Sequence, residues 1–327
     1  MTTMKRSLRI IKLHFTAPVH LGEMGIGLEE SSMVLHSDTI FNAICNALAK
    51  LNGTEWVTDF LEKFKEKPCF RISSGFPFIG DTLFFPKPRN RANINEELQQ
   101  EYGKQLKKTN YLAREYFERW IGGEELSEKD IKEITGCDLS KYCKEMLLPK
   151  VSVDRARAES SIYFLGSVRF KENSGLWFII DCDGDDYETM VLPALRLLQH
   201  DGIGGKRAWG YGAFELKDGT IDMELPDTDT HLLLSLYYPA DHEKRLFALQ
   251  ESRWDFVLRG GYAHPYGLKR SQQKPQVLFI SEGSILGEKP AGKLIEYDLH
   301  TGELHSLYHY GIAYSMPISI MRDDDEM

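Results

Sequence analysis

The chain has 327 residues, 42% of them hydrophobic and 11% aromatic, which suits a globular, soluble protein of two ordinary domains. No apolar run approaches the roughly 18–20 residues of a membrane span, and the stretches after Lys5, Arg6 and Arg9 are too interrupted for a signal peptide, so a cytoplasmic protein without membrane contact is expected. A formal net charge of −9 argues against a nonspecific nucleic-acid binder.

Residues 8–15 read as a first strand, with Ile11, Leu13 and Phe15 on one face and Ile10, Lys12 and His14 on the other. Ser37 and Asp38 then supply N-cap chemistry for a helix carrying Ile40, Phe41, Ile44, Leu48 and Leu51, closed by Gly53. A strand region follows through Phe70, Ile72, Phe76 and Phe78 and ends in a Pro-rich segment at 84–88. Residues 87–160 are charged and Tyr-rich, with amphipathic stretches near 112–121 and 131–142, and are expected to form an insertion outside the sheet. Strands resume at 161–170 and 176–181, joined by a hairpin signal at 171–175. A helix over 190–198 tolerates Pro193 only in its first turn and exits through Gly202; residues 211–216 close the unit as a strand.

Strand, helix, strand, strand, helix, strand is the ferredoxin-like order, an α+β class shared with RNA-recognition (RRM-like) domains. A second round is read from a strand at 232–238, a short helix at 241–249, strands near 253–258 and 277–280, and a last stretch at 308–320. Turn-like residues at 217–219 and 226–229 place the boundary between them, giving domains 1–218 and 219–327. Five cysteines without a C-x-x-C spacing read as reduced thiols, not as a zinc ribbon or redox motif.

Charge is segregated along the chain. Acids gather at Asp181, Asp183, Asp185, Asp186 and Glu188 and in the tail 323–326, whereas Arg253, Arg259, Lys269, Arg270 and Lys274 face only Asp255. A basic groove on an acidic body is compatible with this. A calcium loop starting at Asp181 fails, because its sixth and twelfth positions are Asp186 and Leu192, so no metal is expected.

The most informative segment is 202–212, with Gly202, Gly204, Gly205, Gly210 and Gly212 around Lys206 and Arg207. Side-chain-poor backbone lets N–H groups approach an anion, and Trp209 and Tyr211 offer rings on which unpaired bases stack. It is neither of the common phosphate loops. A P-loop needs Gly at 200 and Ser or Thr at 207, where His200 and Arg207 stand; a dinucleotide fingerprint needs Gly at 207 and a strand before it.

At this loop the sequence resembles the RAMP superfamily of CRISPR proteins, and more closely subunit four of the Csm complex. His20-Leu21-Gly22, the stretch from His36 to Ile44, Phe76-Pro77-Phe78, Ile162-Tyr163-Phe164 and the stretch from Val257 to Tyr262 agree in order. The resemblance implies two ferredoxin-like domains, with a thumb-like hairpin inserted in the first within 87–160 and its tip near 151–157. It implies a noncatalytic, cofactor-free subunit of a type III-A complex that grips the 5′ tag of the CRISPR RNA. Such a subunit bridges the large polymerase-like subunit to the first backbone subunit and meets target RNA only indirectly. The residues carried over are the loop glycines with Lys206, Arg207, Trp209 and Tyr211; His36 and Ser37; Lys150, Ser152, Arg155 and Arg157 of the thumb; and Arg259, Tyr262 and His264 of the second domain. His309-Tyr310-Gly311-Ile312-Ala313 stands where a second glycine loop belongs and carries one glycine.

Two other readings stay open. Some RAMP relatives cleave repeat RNA with a histidine near the N-terminus, and His20 or His36 would be the base for such metal-independent chemistry. Alternatively the chain is a protein-bridging scaffold with no RNA affinity of its own.

Overall fold

The computed structural model describes residues 3–22, 27–154, 159–263, 272–297 and 306–320. Arg155, Arg157 and His264 lie outside them, as do Lys269, Arg270 and the acidic tail.

The first part of the chain runs β1 (Thr3–Phe15), α1 (Ser37–Asn52), α2 (Thr54–Glu66), β2 (Phe70–Ile72), β3 (Phe76–Ile79) and β4 (Thr82–Pro86). It continues with α3 (Glu96–Lys108), β5 (Tyr111–Ala113), α4 (Arg114–Ile121), α5 (Glu128–Gly136), β6 (Cys143–Asp154), β7 (Glu159–Phe170) and β8 (Ser174–Cys182). A short π-helical turn leads into α6 (Leu192–Asp201), and β9 (Phe214–Pro226) follows. The main sheet has the order β5-β4-β3-β8-β1-β9, with β2 also pairing β8. With α1 and α6 as crossover helices, β9-β1-β8-β3 is consistent with a ferredoxin-like unit.

Both faces of this sheet are covered, which is why β8 is apolar almost throughout. Ile11, Leu13, Leu176, Phe178 and Ile180 pack under α1, α2 and α6. Leu8, Ile10, Trp177 and Ile179 pack against α3, α4 and α5 and against residues of the second half such as Leu232, Leu234 and Met316. A strand buried on both sides loses period-2 alternation and becomes a continuous hydrophobic run.

Three local expectations are corrected. Segment 161–170 is a strand, but β7 pairs with β6 from Cys143↔Phe170 to Asp154↔Glu159, forming a long separate hairpin, and β8 alone enters the sheet. The turn read at 217–219 does not exist: β9 passes through it in unbroken register with β1, Gly219 opposite Ile10. Residues 87–160, expected to lie outside the sheet, contribute its edge strand β5, paired with β4, and helices α2 and α3 were not foreseen. Gly53, at φ +92, ends α1 and lets α2 begin at the next residue.

The second half comprises β10 (His231–Leu233), a 3-10 helix at Asp241–Ala248, β11 (Phe256–Arg259), β12 (Tyr262–Ala263), β13 (Gln272–Gln273) and β14 (Val277–Ile280). It ends with β15 (Ile285–Leu286), β16 (Gly292–Tyr297), β17 (Leu307–Ile312) and β18 (Ser315–Pro317). The segment read as a degenerate glycine loop is β17, buried along its length and paired with β16. Tyr310 stacks on Phe41 of α1 with centroids 4.8 Å apart, and its hydroxyl accepts a hydrogen bond from Ile72 N–H at 3.2 Å. The hydrophobic cores therefore run across both halves of the chain.

A candidate nucleic-acid cleft

A cleft of about 790 Å³ brings together three segments distant in sequence: the glycine loop, one face of α1 continuing onto α2, and residues 259–262 with Gln273 and Lys274.

Helix α6 stops at Gly202, whose φ of +77 turns the chain back along residues 18–20. Ile203 N–H donates to Gly212 O at 3.0 Å, Gly205 N–H to His20 O at 2.8 Å and Gly212 N–H to Pro18 O at 2.8 Å. A side chain at 202 would put Cβ 2.4 Å from Tyr211 O; at 204, 2.7 Å from His20 O; at 205, 2.8 Å from the His20 ring. Glycine is thus required at these positions by the loop's own packing. The sequence had assigned the same glycines to anion approach.

Lys206 and Arg207 stand at the crest of the turn, half-buried, and line the cleft. Among the described residues neither makes an ion pair with a carboxylate. Lys206 adopts a left-handed backbone, φ +59, a conformation L-residues with a Cβ seldom hold unless the surroundings impose it. Its Nζ lies 5.0 Å from the centroid of the Trp209 ring, which Lys150 Nζ from β6 also approaches, at 5.6 Å. Trp209 is 49% exposed and so presents a face, ringed by cations, to an incoming base. Ser152 is exposed and shares the β6 face of Lys150 by strand alternation. Across the cleft Tyr262 is 67% exposed.

Several other expected contacts are elsewhere. Tyr211 is buried, so its ring cannot stack on a base. His36 and Ser37 are sealed beneath the second half: His36 Nδ1 is 2.8 Å from Glu282 Oε1, Ser37 N–H donates to Ser74 Oγ at 2.9 Å, and Ser37 Oγ accepts from Leu236 N–H at 3.1 Å. Ser74 Oγ also donates to Glu282 Oε1. Burial alone would raise the Glu282 pKa, but the charge and hydrogen bonds of His36 and Ser74 outweigh it and hold this carboxyl below its usual value. The N-cap of α1 is therefore a joint between the halves.

Arg259 is likewise committed internally. Its Nε and Nη2 donate to Asp38 Oδ2 and Oδ1 at 3.1 and 2.9 Å, and Nη2 donates to Thr39 Oγ1 at 3.1 Å. Burial opposes ionisation of Asp38, yet the guanidinium prevails and keeps the carboxyl far below its ordinary range. Beside this pair lies Lys274, whose Nζ donates to Tyr308 O at 2.8 Å; burial first, with Arg259 adding to it and Asp38 opposing, brings its pKa down to about 8. His309 Nδ1 is 3.9 Å from Asp38 Oδ2. This buried floor was missed. A signal was present: Asp38, Asn42 and Asn46 recur every four residues, a polar stripe on an otherwise apolar helix that here lines the cleft.

His20 lines the cleft although it is 6% exposed. Its Nδ1 lies 2.7 Å from Gly166 O, so Nδ1 carries the proton that this carbonyl accepts. Burial lowers its pKa, the carbonyl bond works the other way, and the charge of Lys206 lowers it further. Among the described residues no cluster of His, Cys, Asp or Glu is placed to hold a metal, the acids at 181–188 included. There Arg6 pairs with Asp181 and Arg9 with Glu188 instead. Among the described residues no helix is long and apolar enough to cross a membrane.

Comparison with known proteins identifies the family. Residues 12–215 match the RAMP superfamily model and residues 226–318 the CRISPR Csm4 C-terminal domain. The "CRISPR system Cms protein Csm4" of Thermococcus onnurineus is 29% identical over 292 residues, covering 87% of this chain and 91% of the relative. Its namesake from Mycobacterium tuberculosis H37Rv is 25% identical over 296 residues, covering 89% and 91%. Among solved structures, a Csm1-Csm4 cassette in complex with cA4 superposes with a TM-score of 0.65 at 23% identity, covering 97% of this chain and 99% of that one. A Csm3-Csm4 subcomplex of the type III-A CRISPR-Cas interference complex superposes with a TM-score of 0.62 at 18% identity, covering 96% and 100%. The chain belongs to the RAMP superfamily of CRISPR proteins and, within it, to the Csm4 subunits of type III Csm complexes.

Proposed function

We propose that the cleft holds the 5′ tag of the CRISPR RNA, and that the chain is a noncatalytic anchor joining the large subunit to the first backbone subunit. The observation that carries this reading is the meeting, in one cleft, of two cations that have no carboxylate partner among the described residues, Lys206 and Arg207, with the accessible ring of Tyr262, while the exposed Trp209 stands beside Lys206 at the edge of that lining. Cations track phosphates and rings take unpaired bases, which together recognise a single strand. Lys150 and Ser152 extend the surface along β6, the strand that would serve as the thumb of a first ferredoxin-like domain. Residues beyond β9 would form the second. The related solved structures, in which Csm4 is paired with Csm1 and with Csm3, support the bridging role. A noncatalytic role is supported by the position of His36, enclosed with Glu282 where a scissile ribose has no access.

Titration of tag RNA at several salt concentrations tests the reading. For two phosphate contacts on a single strand the slope of log K against log salt should flatten by about 1.4 in the Lys206→Ala/Arg207→Ala variant. An unchanged slope and affinity would overturn it.

A further inference from the structure

We infer that His20 reads the ribose 2′-hydroxyl of the nucleotide held by Lys206 and Arg207, so that this site selects RNA over DNA by a single fixed acceptor. The inference rests on the cleft being the tag site.

The tautomer follows from geometry. A carbonyl oxygen only accepts, so the 2.7 Å contact with Gly166 O requires hydrogen on Nδ1 and leaves Nε2 with its lone pair. Nothing among the described residues hydrogen-bonds Nε2. A polar atom on a side chain 6% exposed, lining a cleft, is an acceptor awaiting a donor. Burial and the neighbouring Lys206 both favour the neutral ring that keeps this lone pair.

The approach is kept open by missing side chains. A Cβ at Gly22 would stand 3.6 Å from Nε2, and one at Gly205 would stand 2.8 Å from Cδ2 on the same edge of the ring. The backbone is pinned as well: Gly205 N–H donates to His20 O at 2.8 Å, and the next two residues are the cations. A phosphate on Lys206 and Arg207 brings its own ribose beside this edge, and the 2′-hydroxyl is the donor there that DNA lacks. A catalytic base would need the same lone pair, but catalysis also requires an acid for the leaving oxygen. The other histidine considered for that role, His36, is enclosed with Glu282.

The test uses the full chain and tag RNAs carrying one 2′-deoxy or one 2′-fluoro substitution at each position in turn. One position should lose about three- to tenfold in affinity on deoxy substitution, the worth of one hydrogen bond. The 2′-fluoro RNA should lose as much there, because fluorine preserves the sugar pucker but has no proton to donate. In His20→Asn, whose amide N–H can still serve Gly166 O, all three RNAs should bind alike. If no position is sensitive, if 2′-fluoro restores full affinity, or if His20→Asn keeps the discrimination, the inference fails while the cleft assignment stands. If the wild-type chain binds no tag RNA at all, the cleft assignment falls and takes this inference with it.

Discussion

Arg259 separates two accounts of the cleft, because a cation expected on RNA is found bound to a carboxylate. Asp38→Ala would leave a guanidinium buried without its counter-charge, removing two charge-assisted hydrogen bonds at about 1.5–3 kcal/mol each. The expected loss is about 3–5 kcal/mol, the usual cost of breaking a buried pair from one side, and a large fraction of a typical 5–15 kcal/mol stability. Replacing both partners, Asp38→Leu with Arg259→Met, should restore most of it, since an apolar pair carries no desolvation penalty. Urea denaturation followed by tryptophan fluorescence gives the double-mutant cycle, and with a slope near 3 kcal/mol per molar the midpoint of Asp38→Ala should fall by about 1–2 M. The salt slope of RNA binding by the doubly substituted protein should match the wild type. An Arg259→Met protein with wild-type stability and a flattened salt slope would refute this, and would return Arg259 to the RNA.

Two further outcomes are expected. Lys274 holds its proton to about 10.5 when unfolded but only to about 8 when folded, so the unfolded chain binds more protons between these values and stability should rise with pH across that window. The full effect is about 3 kcal/mol, read as the difference between wild type and Lys274→Met in urea titrations at pH 7.5 and 10.5; equal slopes would contradict it. Gly212→Ala forces a Cβ to 2.0 Å from Ile203 O at φ +76 and should abolish stable folding, whereas Gly210→Ala, at φ +80 with open space around it, should cost only about 1 kcal/mol in thermal or urea denaturation.

What was legible in the sequence was local. The periodic Ile40, Phe41, Ile44 and Leu48 specified α1, and the density of glycine around Lys206 and Arg207 located the loop on which the cleft is built. What was not legible was partner choice. Residues 161–170 carry a strand pattern equally suited to β8 or β6, and register and neighbour are set by tertiary burial. Arg259 and Asp38 are separated by 221 positions, so composition counted a free cation where folding supplies an internal partner. Trp209 and Tyr211 look alike as potential stacking rings; strand entry at Phe214 buries Tyr211 and leaves Trp209 outside. Gly311 was counted toward a loop although β17 needs it small, since a Cβ there would meet Tyr238 Cβ at 2.5 Å.

The most direct measurement is zero-length photocrosslinking of tag RNA carrying 4-thiouridine, placed at one position at a time, to the full chain, with the attached peptides identified by mass spectrometry. If the tag enters the cleft, crosslinks should concentrate in peptides containing Trp209 and Tyr262 and vanish for Trp209 when Lys206 and Arg207 are replaced by alanine. Crosslinks confined to the opposite side of the sheet, on α3 to α5, or spread without preference, would show that RNA lies elsewhere.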